Sequence, residues 1–298
     1  MRDIAGLPGP EPLGRGGRAA GAVLLGLCLR TARADRMLRH GATTAGCSAD
    51  YLRRVETGLA VPSPSQTAGL LAAYATPETS DHWPGLIAIA AQLTAYPENC
   101  AAFADCQPGW AGRLMLVAGT AERVRASAAL VVPIGLRTRT YGAAVIQFMD
   151  EVSPADRTAL TTPLSRTALT DGPPWTVVLG EAVLRQGASP GLARQIRHLV
   201  HLAESTEVRV QVATAASGGH PTTELVELLL PGPAGSVLVV EVKHHGAHYR
   251  IGGSDSAEEL RRLVDRCATR ALDPQPSLSM LRRTASELTA AASIRPAW

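Results

Sequence analysis

Aromatic residues make up only 4% of this chain, with two Phe among 298 residues. With so few rings, Ala, Leu and Val must fill the interior instead. Lysine is almost missing as well. Lys243 is the single one, and arginine carries the rest of the fixed positive charge. The five cysteines, Cys28, Cys47, Cys100, Cys106 and Cys267, form neither a disulfide framework nor a zinc pattern. A Cys100–Cys106 pair is one reading of them, and free thiols in a reducing cytosol are the other. No apolar run reaches the roughly 20 residues needed to span a bilayer, so no membrane segment is expected. There is no Walker motif, no nucleophile elbow and no dinucleotide fingerprint. Gly232 and Gly235 sit in a loop with no helix start behind them, so they make no phosphate cradle. No cofactor and no metal follow from the sequence.

What is present is an apolar fraction of 46%, enough for real cores built from Ala, Leu and Val. Residues 1–80 hold nine Arg against six acidic residues, which accounts for the whole net charge of +3. The excess lies where a phosphate contact would need it, but its field is weak.

The stretch Gly41–Ser63 has the spacing of a helix-turn-helix. Ala42 is small where the second helix must cross. Gly46, four residues on, suits the positive φ of the turn. Ser48 is placed to cap the next helix. Leu52 and Val55 point inward, while Ala49, Asp50, Arg53, Arg54 and Thr57 point outward, where a recognition helix meets the major groove. The candidate DNA-contacting set is therefore Ser48, Ala49, Asp50, Arg53 and Arg54.

This stretch resembles the Xre-type helix-turn-helix proteins, with Ser48–Gly58 and Pro62-Ser63 matching that family's recognition helix and following loop. The resemblance extends to actinobacterial, WhiJ-like regulators with a large C-terminal domain of unknown activity. Three further pieces carry it: Val132–Thr138 with Tyr141; Trp175–Ala182 with Leu184; and Arg197-His198-Leu199 through Glu204, Val208, Val210 and Val212 to Gly219-His220-Pro221. Together they span most of the chain from about Leu25 to Leu272. The resemblance implies that Glu56 pairs with an Arg of the first helix, Arg33. It also implies a small protein encoded nearby as a partner.

The chain departs from that pattern in places. The link between the first two helices is about two residues shorter. Gly41 replaces a large apolar core residue, which costs roughly 1 kcal/mol in a helix and leaves a packing gap. Leu38 replaces a polar residue that reaches the DNA backbone. Leu59-Ala60-Val61 stands where basic residues usually follow, and Asp50 puts a negative charge on the outer face. Phosphate contacts supply most of the affinity of such units. Two readings stay open: a unit that binds DNA, and a retained helix-turn-helix that no longer does.

Residues 1–18 are rich in Gly and Pro and read as a disordered tail. The apolar run Ala19–Leu29 behind Arg15 and Arg18 imitates a signal peptide. Arg30 and Arg33 interrupt its cleavage site, and Leu25, Leu29 and Ala32 make an inner stripe, so it reads as the first helix. Residues 19–80 form the helix-turn-helix domain and residues 81–172 a helical middle region. In that region Ala111–Leu130 reads as one long helix with Val117, Ala121, Val124 and Ala128 inside. Shorter helices follow at Arg139–Phe148 and from Ser153. Residues 173–298 read as an α+β effector domain. Strands are expected at Thr176–Leu179, Val208–Val212, Leu225–Leu230, Val237–Val242 and Tyr249–Ile251. Helices are expected at Pro190–Ala203, from a Ser256/Glu259 capping box to Leu272, and at Ser277–Ala292. The fold class is mainly α with an α+β C-terminal part: a helix-turn-helix bundle plus a small mixed sheet covered by helices.

Chemistry-bearing residues are sparse. Glu241, His244, His245 and His248 lie within eight residues. A turn at Gly246 would bring His245 and His248 together as metal ligands; a solvated hairpin tip is the plainer reading. His198 and His201 share a helix face with Glu204, which reads as packing. His220, in a loop before Pro221, and Glu181, after a strand, are candidate pocket residues with Glu241, His245 and His248. Two functions follow. One is a cytoplasmic, homodimeric transcriptional regulator that binds a pseudo-palindromic operator and senses a small-molecule ligand or protein partner through its C-terminal domain. The other is a repurposed regulator fold acting on a small molecule, by cyclisation or proton transfer, in specialised metabolism.

Overall fold

The computed structural model describes residues 19–74, 85–96, 101–149, 151–186, 190–217, 223–232 and 237–294. It begins with five helices: α1 (Ala20–Arg33), α2 (Leu38–Thr44), α3 (Ala49–Glu56), α4 (Pro64–Tyr74) and α5 (Leu86–Ala95). The apolar run at the start becomes α1, and its burial explains its composition. Every residue from Ala20 to Leu29 is buried. A helix that is apolar all round has no solvent face. On one side α1 packs against α3, α4 and α5; on the other it meets α6 (Trp110–Gly119), β1 (Ala102–Asp105) and β7 (Gly246–Ile251). One continuous core therefore runs from the helix-turn-helix into the sheet.

The sheet has seven strands in the order β1-β7-β6-β5-β2-β3-β4, with β2 (Arg123–Ala128), β3 (Trp175–Gly180), β4 (Val208–Ala213), β5 (Glu224–Leu229) and β6 (Val237–Lys243). β2, β3 and β4 are parallel; β5, β6, β7 and β1 extend them antiparallel. Parallel neighbours need crossovers. These are α7 (Arg139–Ile146), α8 (Pro154–Thr161) and α9 (Arg166–Thr170) between β2 and β3, and α10 (Pro190–Ser205) between β3 and β4. Helix α11 (Asp255–Arg270) lies across β2, β4, β5, β6 and β7, and α12 (Pro274–Ile294) packs on α10 and β4.

The middle region corrects the expectation of an all-helical segment. Its long helix ends at Gly119, and Arg123–Ala128 forms β2 at the centre of the sheet. Val117, Ala121, Val124 and Ala128 do fit a helical stripe. Val124, Ala126 and Ala128 equally fit period two, and pairing with β3 and β5 decides. Strand β1 was also outside the expected set. The capping residue of α11 is Ser254 rather than Ser256: its hydroxyl accepts from Ala257 N, and Glu258 accepts from Gly253 N. The gap expected at Gly41 is filled by the buried Tyr74, whose hydroxyl would lie 1.7 Å from a Cβ there.

Two buried carboxylates brace the junction below α1. Asp105, ending β1, takes Arg113 of α6 at 2.8 and 2.7 Å, and both side chains are fully buried. Burial pushes the Asp105 carboxyl up, and the Arg113 guanidinium opposes that shift. Asp156 of α8 accepts from Gly109 N and Ala111 N, each at 3.0 Å, and so caps α6 from another helix.

Gly26 sets how closely α3 approaches α1. A Cβ at this position would stand 2.2 Å from Val55 O, a backbone atom of α3 that cannot swing away. Gly26→Ala gains about 1 kcal/mol of helix propensity, yet the α1–α3 crossing must open. We expect a net loss of roughly 2 kcal/mol, measured as a lower urea midpoint; an equal or higher midpoint would contradict the close crossing.

Candidate functional site

The helix-turn-helix is built from local chemistry. Gly46 adopts φ +63° in the turn, and Ser48 Oγ accepts from Tyr51 N at 3.1 Å to cap α3. Leu52 and Val55 are buried, 0% and 1% exposed, as is Ala42. Gly58, at φ +71°, closes α3 and lies against Val23 of α1. Arg33 Nε and Nη2 reach the two Glu56 carboxylate oxygens at 2.7 and 3.0 Å. Arg33 Nη1 also donates to Arg36 O at 2.6 Å. One guanidinium thus fixes both the end of α3 and the short link to α2.

The outward face of α3 carries Asp50, Arg53 and Arg54, all exposed; Ala49 and Thr57 are half-buried. Arg53 pairs with Asp50 at 3.2 Å, so part of its charge is met within the helix. Arg39 and His40 of α2 are exposed nearby in the sequence. The two departures in the apolar direction have structural work except at Leu59, which is 50% exposed. Leu38 is half-buried against the core, and so are Ala60 and Val61, with Tyr51 Oη donating to Val61 O at 2.9 Å.

The second site is a cavity of about 910 Å³ in the C-terminal part, between α7, α10 and the ends of β5 and β6. Its walls are mostly apolar, with Ile134, Val145, Met149 and Leu192 among them. A buried ion pair lies in this lining. Arg137 Nη2 donates to Glu224 Oε2 at 3.3 Å, while Arg137 Nε donates to Val132 O at 2.6 Å. Glu224 Oε1 accepts from Ile134 N at 3.2 Å. Burial pushes the Glu224 carboxyl up and the Arg137 guanidinium down, each resisted by the other.

Of the expected pocket residues, Glu241 lines this cavity, while Glu181, His245 and His248 are not among its lining residues. His220 lies outside the described residues. Glu181 accepts from Ala215 N at 2.8 Å and from Arg185, a structural acceptor that holds its carboxyl below the usual range. The turn between β6 and β7 falls at His244-His245, not at Gly246. It leaves His245 exposed at the tip and pairs His248 across the strands with Glu241. No group of three His, Cys, Asp or Glu is placed to hold a metal ion among the described residues. Glu204 pairs with Arg282 of α12 at 2.5 Å rather than with the histidines of its own helix. Among the described cysteines, Cys28, Cys47, Cys106 and Cys267 are free, and burial pushes the Cys28 thiol up to about 12. No helix among the described residues is long and apolar enough to cross a membrane.

Comparison with known families matches residues 24–83 to a helix-turn-helix domain. Residues 112–283, more than half of the chain, match the domain of unknown function DUF5753. The chain belongs to the DUF5753 family. No curated protein matches it. The DUF5753 region begins inside α6 and ends inside α12, so it takes in the whole cavity lining except Trp110.

Two half-buried histidines of this region, His198 and His248, are held below the ordinary value of 6.5, mainly by burial. Both therefore take up protons more readily in the unfolded chain. Stability is full above the ordinary value and falls as pH drops through it. Urea unfolding between about pH 7.5 and about pH 5.5 should show this loss, and a His198→Gln/His248→Gln double variant should flatten it. Equal slopes for both proteins would contradict the assignment.

Proposed function

We propose that this chain is a transcriptional regulator of the Xre type that binds operator DNA through α3. The observation that carries the reading is the exposed Arg53 and Arg54 on the last turn of a helix whose other face is locked to α1. A helix-turn-helix places its second helix in the major groove with a few side chains at base edges. Here Ser48, Ala49 and Asp50 start that helix and Arg53 and Arg54 follow on the same outer face. Arginine is suited to guanine edges and phosphates. The Arg33–Glu56 tie keeps the helix in one orientation.

In this reading the protein acts as a homodimer on a pseudo-palindromic site in the cytoplasm, resembling the WhiJ-like actinobacterial regulators. The DUF5753 part acts as the sensing part, for a small molecule or a small protein encoded nearby. Helix α1 supports this, because a change in packing at β1 or β7 reaches α3 through one rigid element.

The test is fluorescence anisotropy of the full chain with its own upstream DNA across a salt series. Binding should exceed that to scrambled DNA and fall steeply with salt. Arg53→Ala and Arg54→Ala should each cost roughly 1–3 kcal/mol if they reach bases, and reduce the salt slope by about 1 where they reach phosphate. Unchanged affinity in both variants would remove α3 from the interface.

A further inference from the structure

The cavity beside Arg137 has a volume of about 910 Å³ and is walled mainly by apolar side chains. At its mouth stand Phe148, 86% exposed, and Leu130, 49% exposed. Large apolar side chains at an opening favour an occupant that covers them. A volume of this order suits a drug-sized molecule, held by apolar contact and oriented by a few polar groups.

The polar groups limit the chemistry of that molecule. Arg137 is 4% exposed and Glu224 7%. Their charges already cancel at 3.3 Å, and Glu224 has a second donor in Ile134 N. A ligand carboxylate or ammonium at this point would add a buried charge without a counter-charge, which is costly. A neutral group would not. The guanidinium engages Nε with Val132 O and Nη2 with Glu224, while Nη1 donates to no described residue. An unused donor in a cavity wall calls for an acceptor. Tyr141 Oη, close by, accepts from Val132 N at 3.3 Å and donates to Gln186 Oε1 at 3.4 Å, two long bonds that a better partner can replace.

From this arrangement we infer that the DUF5753 cavity binds a neutral, largely apolar small molecule that presents a carbonyl or similar acceptor oxygen to Arg137. The inference deepens, and rests on, the reading of this part as the sensing domain. An anion or an amine seated at this pair is disfavoured, and the other two charges of the lining, Lys243 and Glu241, face each other at 3.6 Å.

Nile red is a suitable probe: neutral, apolar, with a carbonyl acceptor and an emission that shifts to the blue out of water. The full chain should bind it saturably at one site with blue-shifted emission. Ala144 lines the cavity on the exposed side of α7, so Ala144→Trp fills the space without disturbing the core. That variant should weaken binding by about tenfold or more. The Arg137→Met/Glu224→Gln variant, which removes the pair without leaving a lone charge, should weaken it several-fold. Absence of saturable binding, or equal binding to wild type and Ala144→Trp, overturns the proposal. Tighter binding of the anionic dye anilinonaphthalene sulfonate than of Nile red overturns the neutral-acceptor assignment. Repeating the DNA titration with Nile red bound separates the two readings. A cavity that binds the dye while operator affinity stays constant supports the site and removes the sensing role.

Discussion

Helix α1 is buried between the recognition helix and the β1–β7 side of the sheet, and neither half completes its core without it. Its residues from Ala20 to Leu29 face packing partners in every direction. Gly26 lets α3 approach on one side, while Gly21 lies against Phe103 and Leu93 on another. The buried Asp105–Arg113 pair stands beneath it with hydrogen bonds to Pro108 O and Gln107 O. A buried pair so fully hydrogen-bonded is costly to open and leaves few alternative arrangements. The consequence is a helix-turn-helix mounted on the C-terminal fold rather than tethered to it.

That mounting shapes what the two sites can do. The recognition helix is short, and its grip on α1 comes from Leu52, Val55 and the Arg33–Glu56 pair. Few degrees of freedom are left for it to move alone. The cavity, in contrast, is closed by α7 and α10, which pack on each other. A ligand there would reach α1 through Trp110 of α6, which lines the cavity and belongs to a helix packed on α1, or through the sheet. Coupling of that kind needs an element with two arrangements, and the β1–β7 edge is where the helix-turn-helix and the sheet meet.

How much of this could be read from the sequence depends on how local each feature is. The helix-turn-helix was legible because Ala42, Gly46, Ser48, Leu52 and Val55 specify it within a few turns. The strands β3 to β6 were legible because Val and Leu alternate or cluster between turn residues, while β7, which has neither, was legible only at Tyr249–Ile251. Strand β2 was not, because an Ala-rich segment satisfies both periods and only its neighbours in the sheet choose between them. The Tyr74 ring over Gly41 joins residues from two helices, so the glycine alone suggested a hole. The cavity was out of reach for a similar reason. Arg137 and Glu224 are 87 residues apart and meet only after β2 and β5 have paired. A signal existed in each half: an arginine inside the apolar Val132–Thr138 stretch, and a glutamate opening a strand with a second glutamate, Glu227, three residues on. Histidines near Gly246 drew attention instead because they were adjacent in sequence, and the hairpin register separated His245 from His248.

Native-state hydrogen exchange tests the shared-helix account most directly. Amides of α3 and of the interior strands β2 and β3 are followed together as urea is raised. If α1 welds the two parts, their opening free energies converge on one value with one urea dependence. Opening of α3 at a distinctly lower free energy, with β2 and β3 still protected, would show that the helix-turn-helix folds and unfolds by itself and would contradict the account.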